Sequence, residues 1–195
     1  TLTPVGITRW KGEEWITQRA LDTANFTVEK DALTLCGNGL DLCDRKMQGL
    51  LLVRQQERAF TAETALEIPA AGTAGLTCYY DEHSYLKFGI GPEGLLLEEY
   101  AGYEVVSRQT APLPASTSHV RLRVTAADGQ RHFAIQDRTD WHTLWSIPEP
   151  RYLTSEGLQC GKRFTGAMVG LYVHGASAVR FADWVAVWPH PEEKR

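Results

Sequence analysis

The sequence predicts an all-β protein, a sandwich of two antiparallel sheets, and three observations carry that expectation. Apolar and polar residues alternate with a period of two through much of the chain. Clusters of Gly, Pro, Asp and Asn separate these stretches at short intervals. No segment holds a lasting apolar stripe at helical spacing; residues 20–30 are mixed in character and lack one. Many short strands punctuated in this way bury their apolar faces best as two stacked sheets. No repeat of about 20–50 residues is visible, which argues against a propeller or solenoid.

The strands are read in chain order. Residues 50–53 form a short apolar run with polar flanks. Residues 59–68 alternate and stop at Pro69, which cannot donate to a ladder. Residues 76–80 are strand-like, and 81–84 are turn-like. In 85–90, Leu86, Phe88 and Ile90 share one face, while Tyr85 and Lys87 share the other. Residues 111–118 read as a loop joining two strands. In 119–125, Val120, Leu122 and Val124 face a core, and Arg121 and Arg123 face outward. Asp128-Gly129 is a hairpin turn signal, with 132–136 as the returning strand. Strands over 168–173 and 179–188 close the fold.

The chain has 195 residues, 43% hydrophobic and 23% charged, the balance of a soluble globular protein. One domain over 1–188 is expected, with 189–195 as a solvated, disordered tail. A net charge of −4 with no basic stripe argues against a nucleic-acid partner. The apolar runs are too short to span a bilayer, so no membrane partner is expected. Cys36 and Cys43 flank Gly37-Asn38-Gly39 and could bridge across that turn. Sparse cysteines without a CxxC pair favour free thiols instead, and Cys78 reads as a small buried apolar residue. Free thiols and the lack of a charged-then-apolar leader favour the cytoplasm. Because the chain starts at Thr1, a fragment of a secreted parent is the other reading.

Glu63, Asp81, Glu82, Asp137, Asp140 and Asp183 are available as acids, but no spacing forces two of them together as acid and base. The histidines show neither HxH nor HExxH spacing, so no zinc site is expected. Aromatic rings are the better candidates for ligand contact: Tyr79, Tyr85, Tyr100, Tyr103, Trp141 and Trp145. If strands 76–80 and 85–90 pair, Tyr79, Tyr85 and Lys87 make one outward or concave patch, bordered by Arg121 and Arg123. The competing reading for each ring is core filling, since Tyr and Trp routinely occupy sandwich interiors. Trp10, Trp15, Trp184 and Trp188 are assigned to packing or to an inter-domain surface.

Two groups of residues carry a resemblance. The first is Leu51-Leu52-Val53-Arg54-Gln55-Gln56, then Phe60-Thr61-Ala62-Glu63-Thr64, then Ala74-Gly75-Leu76-Thr77-Cys78-Tyr79-Tyr80. The second is Phe164-Thr165-Gly166-Ala167-Met168-Val169-Gly170-Leu171, followed by Ala182-Asp183-Trp184. In order and spacing across 45–188, they resemble the C-terminal domain of family 43 β-xylosidases. The resemblance implies a concanavalin A-like jelly roll packed against a five-bladed propeller that holds every catalytic carboxylate. This chain alone would then be no enzyme. Xylan or xylo-oligosaccharide would be its ligand, with Tyr79, Tyr85, Lys87, Trp141 and Arg121 as candidate contacts. The loop of Arg163, Phe164 and Thr165 would cap the propeller's sugar pocket, the ring excluding water.

No cofactor is implied beyond a structural calcium at Asp183, with backbone oxygens and loop carboxylates. The family's second acidic residue is missing here, where Trp184-Val185-Ala186 stands, and that counts against the site. Two other classes remain open. A lectin-like hydrolase would carry a closely spaced ExDxxE strand, which is absent. A structural domain would serve as a homo-oligomer contact.

Overall fold

The computed structural model describes residues 7–17, 25–113, 117–158, 160 and 166–189. Phe164, Thr165, Arg163 and most of the expected tail lie outside the described residues. One sheet has eight strands in the order β1 (Ile7–Trp10), β2 (Glu13–Ile16), β5 (Leu50–Arg54), β14 (Met168–His174), β7 (Thr73–Asp81), β8 (Ser84–Gly91), β9 (Gly94–Ala101), β10 (Glu104–Ala111). The other has seven, in the order β13 (Asp140–Pro148), β12 (Gln130–Asp137), β11 (His119–Ala127), β6 (Phe60–Glu67), β15 (Ala178–Val187), β4 (Ala32–Cys36), β3 (Phe26–Val28). Every pairing is antiparallel. Among the described residues the only helical element is a 3-10 turn at Arg151–Leu153, and no helix is long and apolar enough to cross a membrane.

The inner faces follow the alternation in the sequence. β6 buries Phe60, Ala62, Thr64 and Leu66, and β11 buries Val120, Leu122, Val124 and Ala126. Across the gap β8 contributes Leu86, Phe88 and Ile90, with Phe88 edge-on to Phe133 at 5.3 Å. Each such apolar side chain contributes about 1.5–3 kcal/mol by leaving water. Trp10, Trp15 and Trp184 are also core: Trp15 meets Trp184 edge-on at 4.6 Å and donates its indole N–H to the Trp10 carbonyl at 3.0 Å.

Asp128 and Gly129 both take positive φ, 50° and 73°, the backbone that a two-residue hairpin between right-twisted strands requires. A Cβ on Gly129 would meet nothing within 4 Å, so only backbone strain opposes a side chain there. Gly129→Ala is expected to cost about 1 kcal/mol, and Gly129→Asn less, because Asn tolerates this region. Chemical denaturation of the two variants checks the order.

Two departures from the sequence reading have plain causes. β1 to β4, β9, β10 and β13 fall outside the strands that the alternation predicts. β10 and β13 are sheet edges with mostly exposed side chains, and β9 runs Leu95-Leu96-Leu97 without alternation. The second departure concerns the outer face of the eight-stranded sheet, which is roofed over. Residues 37–49 lie across it, tied down by Gly39 N–H donating to the Gly175 carbonyl (3.0 Å) and Val173 N–H donating to the Gly49 carbonyl (2.8 Å). As a result β8 is buried at every position, on both faces. The outer face of the seven-stranded sheet stays open, with Val185 and Val187 about half exposed.

Candidate functional site

One stretch of each sequence group, Arg54-Gln55-Gln56 and Ala167-Met168, meets the other at one end of the eight-stranded sheet. β5 ends there as β14 begins, and Met168 stands between Arg54 and Tyr79 in register. Gln55 N–H donates to the Ala167 carbonyl at 3.1 Å, and its side-chain amide donates to the Glu57 carbonyl at 2.9 Å. This pins the chain immediately after the Arg163–Phe164–Thr165 loop to the chain carrying Arg54, Gln55 and Gln56. Beside this junction is a cleft of about 540 Å³ lined by the β1–β2 turn (Gly12, Glu13, Glu14), Ile16, Val53, Arg54 and Gln56. Burial lifts the Glu13 carboxyl above the ordinary carboxylate range, with the Trp188 indole pulling the other way. A guanidinium, two carboxyls and an amide around one concavity can hold hydroxyl groups by paired donors and acceptors. The sequence reading used Arg54 and Gln56 only as part of a pattern and passed over Glu13 and Glu14.

Tyr79, Tyr85 and Lys87 lie where the alternation put them, on the face opposite the main core. Tyr79 and Tyr85 are register partners with rings stacked at 6.0 Å, and Tyr85 stacks on Tyr100 at 4.7 Å. The expected outward patch is nevertheless closed: Tyr79, Tyr85 and Lys87 are each 1% exposed or less. They form a second core with Leu42, Met47, Leu50, Leu52, Met168 and Tyr172. The cause is residues 37–49, read from the sequence only as a turn between cysteines. Leu42 and Met47 from that segment pack on the rings. Asp41 accepts from Lys87 Nζ through both oxygens at 3.0 and 2.9 Å. On its other side Lys87 Nζ pairs with Glu98 at 2.9 Å, and Glu98 pairs in turn with Arg108. The charge of Lys87 is thus spent inside the protein. Burial first, then Asp41 and Cys43, push the Tyr85 phenol far above its ordinary range.

Trp141, Arg121 and Asp183 lie on the opposite side of the molecule, on the open face of the seven-stranded sheet. Arg123 stacks over the Trp141 ring at 3.8 Å and pairs with Glu63 at 2.7 Å. Arg121 Nη1 is 3.8 Å from Asp183, which takes φ 52° at a bulge between Ala182 and Val185. Calcium takes about six to eight oxygen ligands. Among the described residues no group of three or more His, Cys, Asp or Glu is placed to hold a metal, and Asp183 faces a guanidinium. The cysteines are free, Cys78 buried in the main core and Cys43 exposed beside Tyr85.

Two antiparallel sheets of this order, with one roofed face and one open face, define a concanavalin A-like jelly-roll sandwich. The chain belongs to the family of β-xylosidase C-terminal concanavalin A-like domains, whose sequence pattern matches residues 11–185. It is 27% identical over 169 residues to a β-xylosidase of Bacillus subtilis, covering 78% of this chain and 32% of that protein. Solved structures share the fold. The family 43 protein BlXynB of Bacillus licheniformis superposes with a TM-score of 0.73 at 24% identity, covering 87% of this chain and 35% of that one. A xylan β-1,4-xylosidase of Bacillus halodurans gives 0.75 at 20% identity, covering 88% and 36%. A functionally unknown protein of Saccharomyces cerevisiae gives 0.60 at 18% identity, covering 91% and 96%. The chain thus spans about a third of the length of its xylosidase relatives.

Proposed function

We propose that this sandwich is the non-catalytic accessory domain of a family 43 β-xylosidase-type enzyme. It binds xylan or xylo-oligosaccharide and closes the sugar pocket of a five-bladed propeller with the loop of Arg163, Phe164 and Thr165. The observation that carries the reading is the meeting of the two family-like segments at one sheet end. Ala167, two residues after that loop, is anchored there by Gln55, beside Arg54 and the cleft. A loop held on a rigid sheet end can present an apolar ring to a neighbouring domain at a fixed position. The charged residues at the cleft would supply the polar rim of such an interface.

The test is Phe164→Ala in an enzyme that carries this sandwich beside its propeller. Activity on xylobiose is expected to fall at least about tenfold, on the order of the 1.4 kcal/mol that one well-placed ring supplies. Unchanged activity would remove the capping role. The non-catalytic part is checked separately, on aryl β-xyloside and arabinofuranoside with the isolated chain. Turnover there would make the sandwich a hydrolase in its own right.

A further inference from the structure

The open face of the seven-stranded sheet is unused by the capping role, and its side chains are organised. Three rows cross it, set by the register of five strands. The lowest is Val187, Thr61, Thr125, His132 and Ser146. Thr61 and Thr125 share a hydrogen bond at 3.3 Å, and His132 Nδ1 and the Ser146 hydroxyl share one at 2.7 Å. The middle row is Val185, Glu63, Arg123, Ala134 and Thr143. The upper row carries Ala65 and Arg121, with Gln136 opposite Trp141 at the sheet edge.

Two properties of this face select its occupant. First, its two arginines face carboxylates of the same sheet: Arg123 is hydrogen-bonded to Glu63 at 2.7 Å, and Arg121 Nη1 lies 3.8 Å from Asp183. A polyanion or an acidic peptide would have to compete with these internal pairs, whereas an uncharged polyhydroxyl chain leaves them intact. Second, hydroxyls, an imidazole and an amide lie in rows across the strands, and an indole stands at the end. The Trp141 ring is held before any ligand arrives, because Arg123 stacks on it at 3.8 Å while anchored to Glu63. A ring ordered in advance loses little freedom on binding. Strands about 4.8 Å apart make a five-strand row about 19 Å long, enough for several pyranose rings laid end to end.

We infer that this face is a binding platform for a neutral β-linked xylan-type chain, with Trp141 as its stacking ring and the Thr61–Thr125–His132–Ser146 row as its hydrogen-bonding floor. The inference rests on the xylan-binding reading above and adds to it the place: the open face of the seven-stranded sheet, on the other sheet from the β5–β14 junction. Binding to the polymer would therefore persist while the other end of the sandwich serves a propeller.

The experiment is titration calorimetry of the full 195-residue chain with xylohexaose, together with affinity electrophoresis in gels containing xylan. The variants are Trp141→Ala, Thr143→Arg and Val106→Ser, and near-ultraviolet circular dichroism confirms that each is folded. Trp141→Ala is expected to weaken binding about tenfold. Thr143→Arg, at an exposed position beside Trp141, is expected to weaken it comparably by blocking the platform. Val106→Ser, on exposed β10 of the other sheet, should leave it unchanged. Full binding by both folded platform variants, or loss in Val106→Ser alone, overturns the location while leaving the binding reading standing. No binding by the unaltered chain to either probe overturns the binding reading itself. If sedimentation shows self-association that Thr143→Arg abolishes while xylohexaose binding is unaffected, the face is a contact between copies and the inference fails.

Discussion

Lys87→Met is expected to destabilise the protein by about 3 kcal/mol, the low end of what removing one partner of a buried ion pair costs. For a chain of this length that corresponds to a fall in melting temperature of roughly 6–12 °C. Lys87 and Glu98 are each about 2% exposed at the side chain, and Lys87 Nζ sits 2.9 Å from both Glu98 and Asp41. Methionine fills nearly the same volume but leaves Glu98 with Arg108 alone. It also removes the Lys87 pair of Asp41, one of the contacts that hold the 37–49 roof, leaving Asp41 with His174 at 3.6 Å. The pH dependence has a definite sign. Burial by itself would raise the Glu98 carboxyl, but the hydrogen bonds and charges of Lys87 and Arg108 outweigh it and hold Glu98 below its ordinary value of 4.5. A carboxylate depressed on folding stabilises above its unfolded pKa, and that stability is lost as pH falls through the folded one. The unaltered chain should lose stability as pH drops below about 4.5, and Lys87→Met should lose less over the same window. Urea midpoints at pH 7, 5 and 3.5 test both statements. Equal midpoints at pH 7 would mean that the network contributes nothing.

Gly170→Ala is expected to cost 3 kcal/mol or more, at about the upper range of overpacking, and to reduce soluble yield. Gly170 lies in β14 between Leu52 of β5 and Thr77 of β7. A Cβ there would run into the Leu51 carbonyl, with the Leu52 Cα only 2.8 Å away. Both obstacles are main chain in the middle of a sheet. Neither can yield without breaking ladder hydrogen bonds, unlike the open surroundings of Gly129. The two glycines therefore separate close approach from backbone strain, and Gly170→Ala should be much the worse. A Gly170→Ala protein with an unaltered denaturation midpoint would contradict the packing described here.

The parts of the molecule that the sequence displayed are those where local pattern and tertiary environment agree. β6, β8, β11 and β12 each have a buried face, so their alternation survives into the structure with its register intact. Asp128-Gly129 is a turn for reasons held within two residues. Tyr79, Tyr85 and Lys87 show the limit. Their shared face was legible, but not the roof above it, because Asp41, Leu42 and Met47 belong to an irregular segment with no period to detect. A lysine on a strand reads as solvent-facing until the two carboxylates that neutralise it are brought alongside from β9 and from residue 41. The cleft was hidden for a similar reason: Glu13 and Glu14 reach Arg54 and Gln56 only through the sheet. Arg121 and Trp141 were visible individually, whereas the stacking of Arg123 on Trp141 depends on the pairing of β12 with both β11 and β13.

The order of strands has a consequence for how the chain reaches this state. β14 and β15, the last two described strands, sit inside the sheets: β14 between β5 and β7, β15 between β6 and β4. Until they arrive, four strands made much earlier have one ladder side vacant, and neither sheet can close. Contacts this distant in sequence make folding slow. During that interval the open strands can pair with other chains instead. The sandwich is thus most open to aggregation in the interval before β14 and β15 are in place.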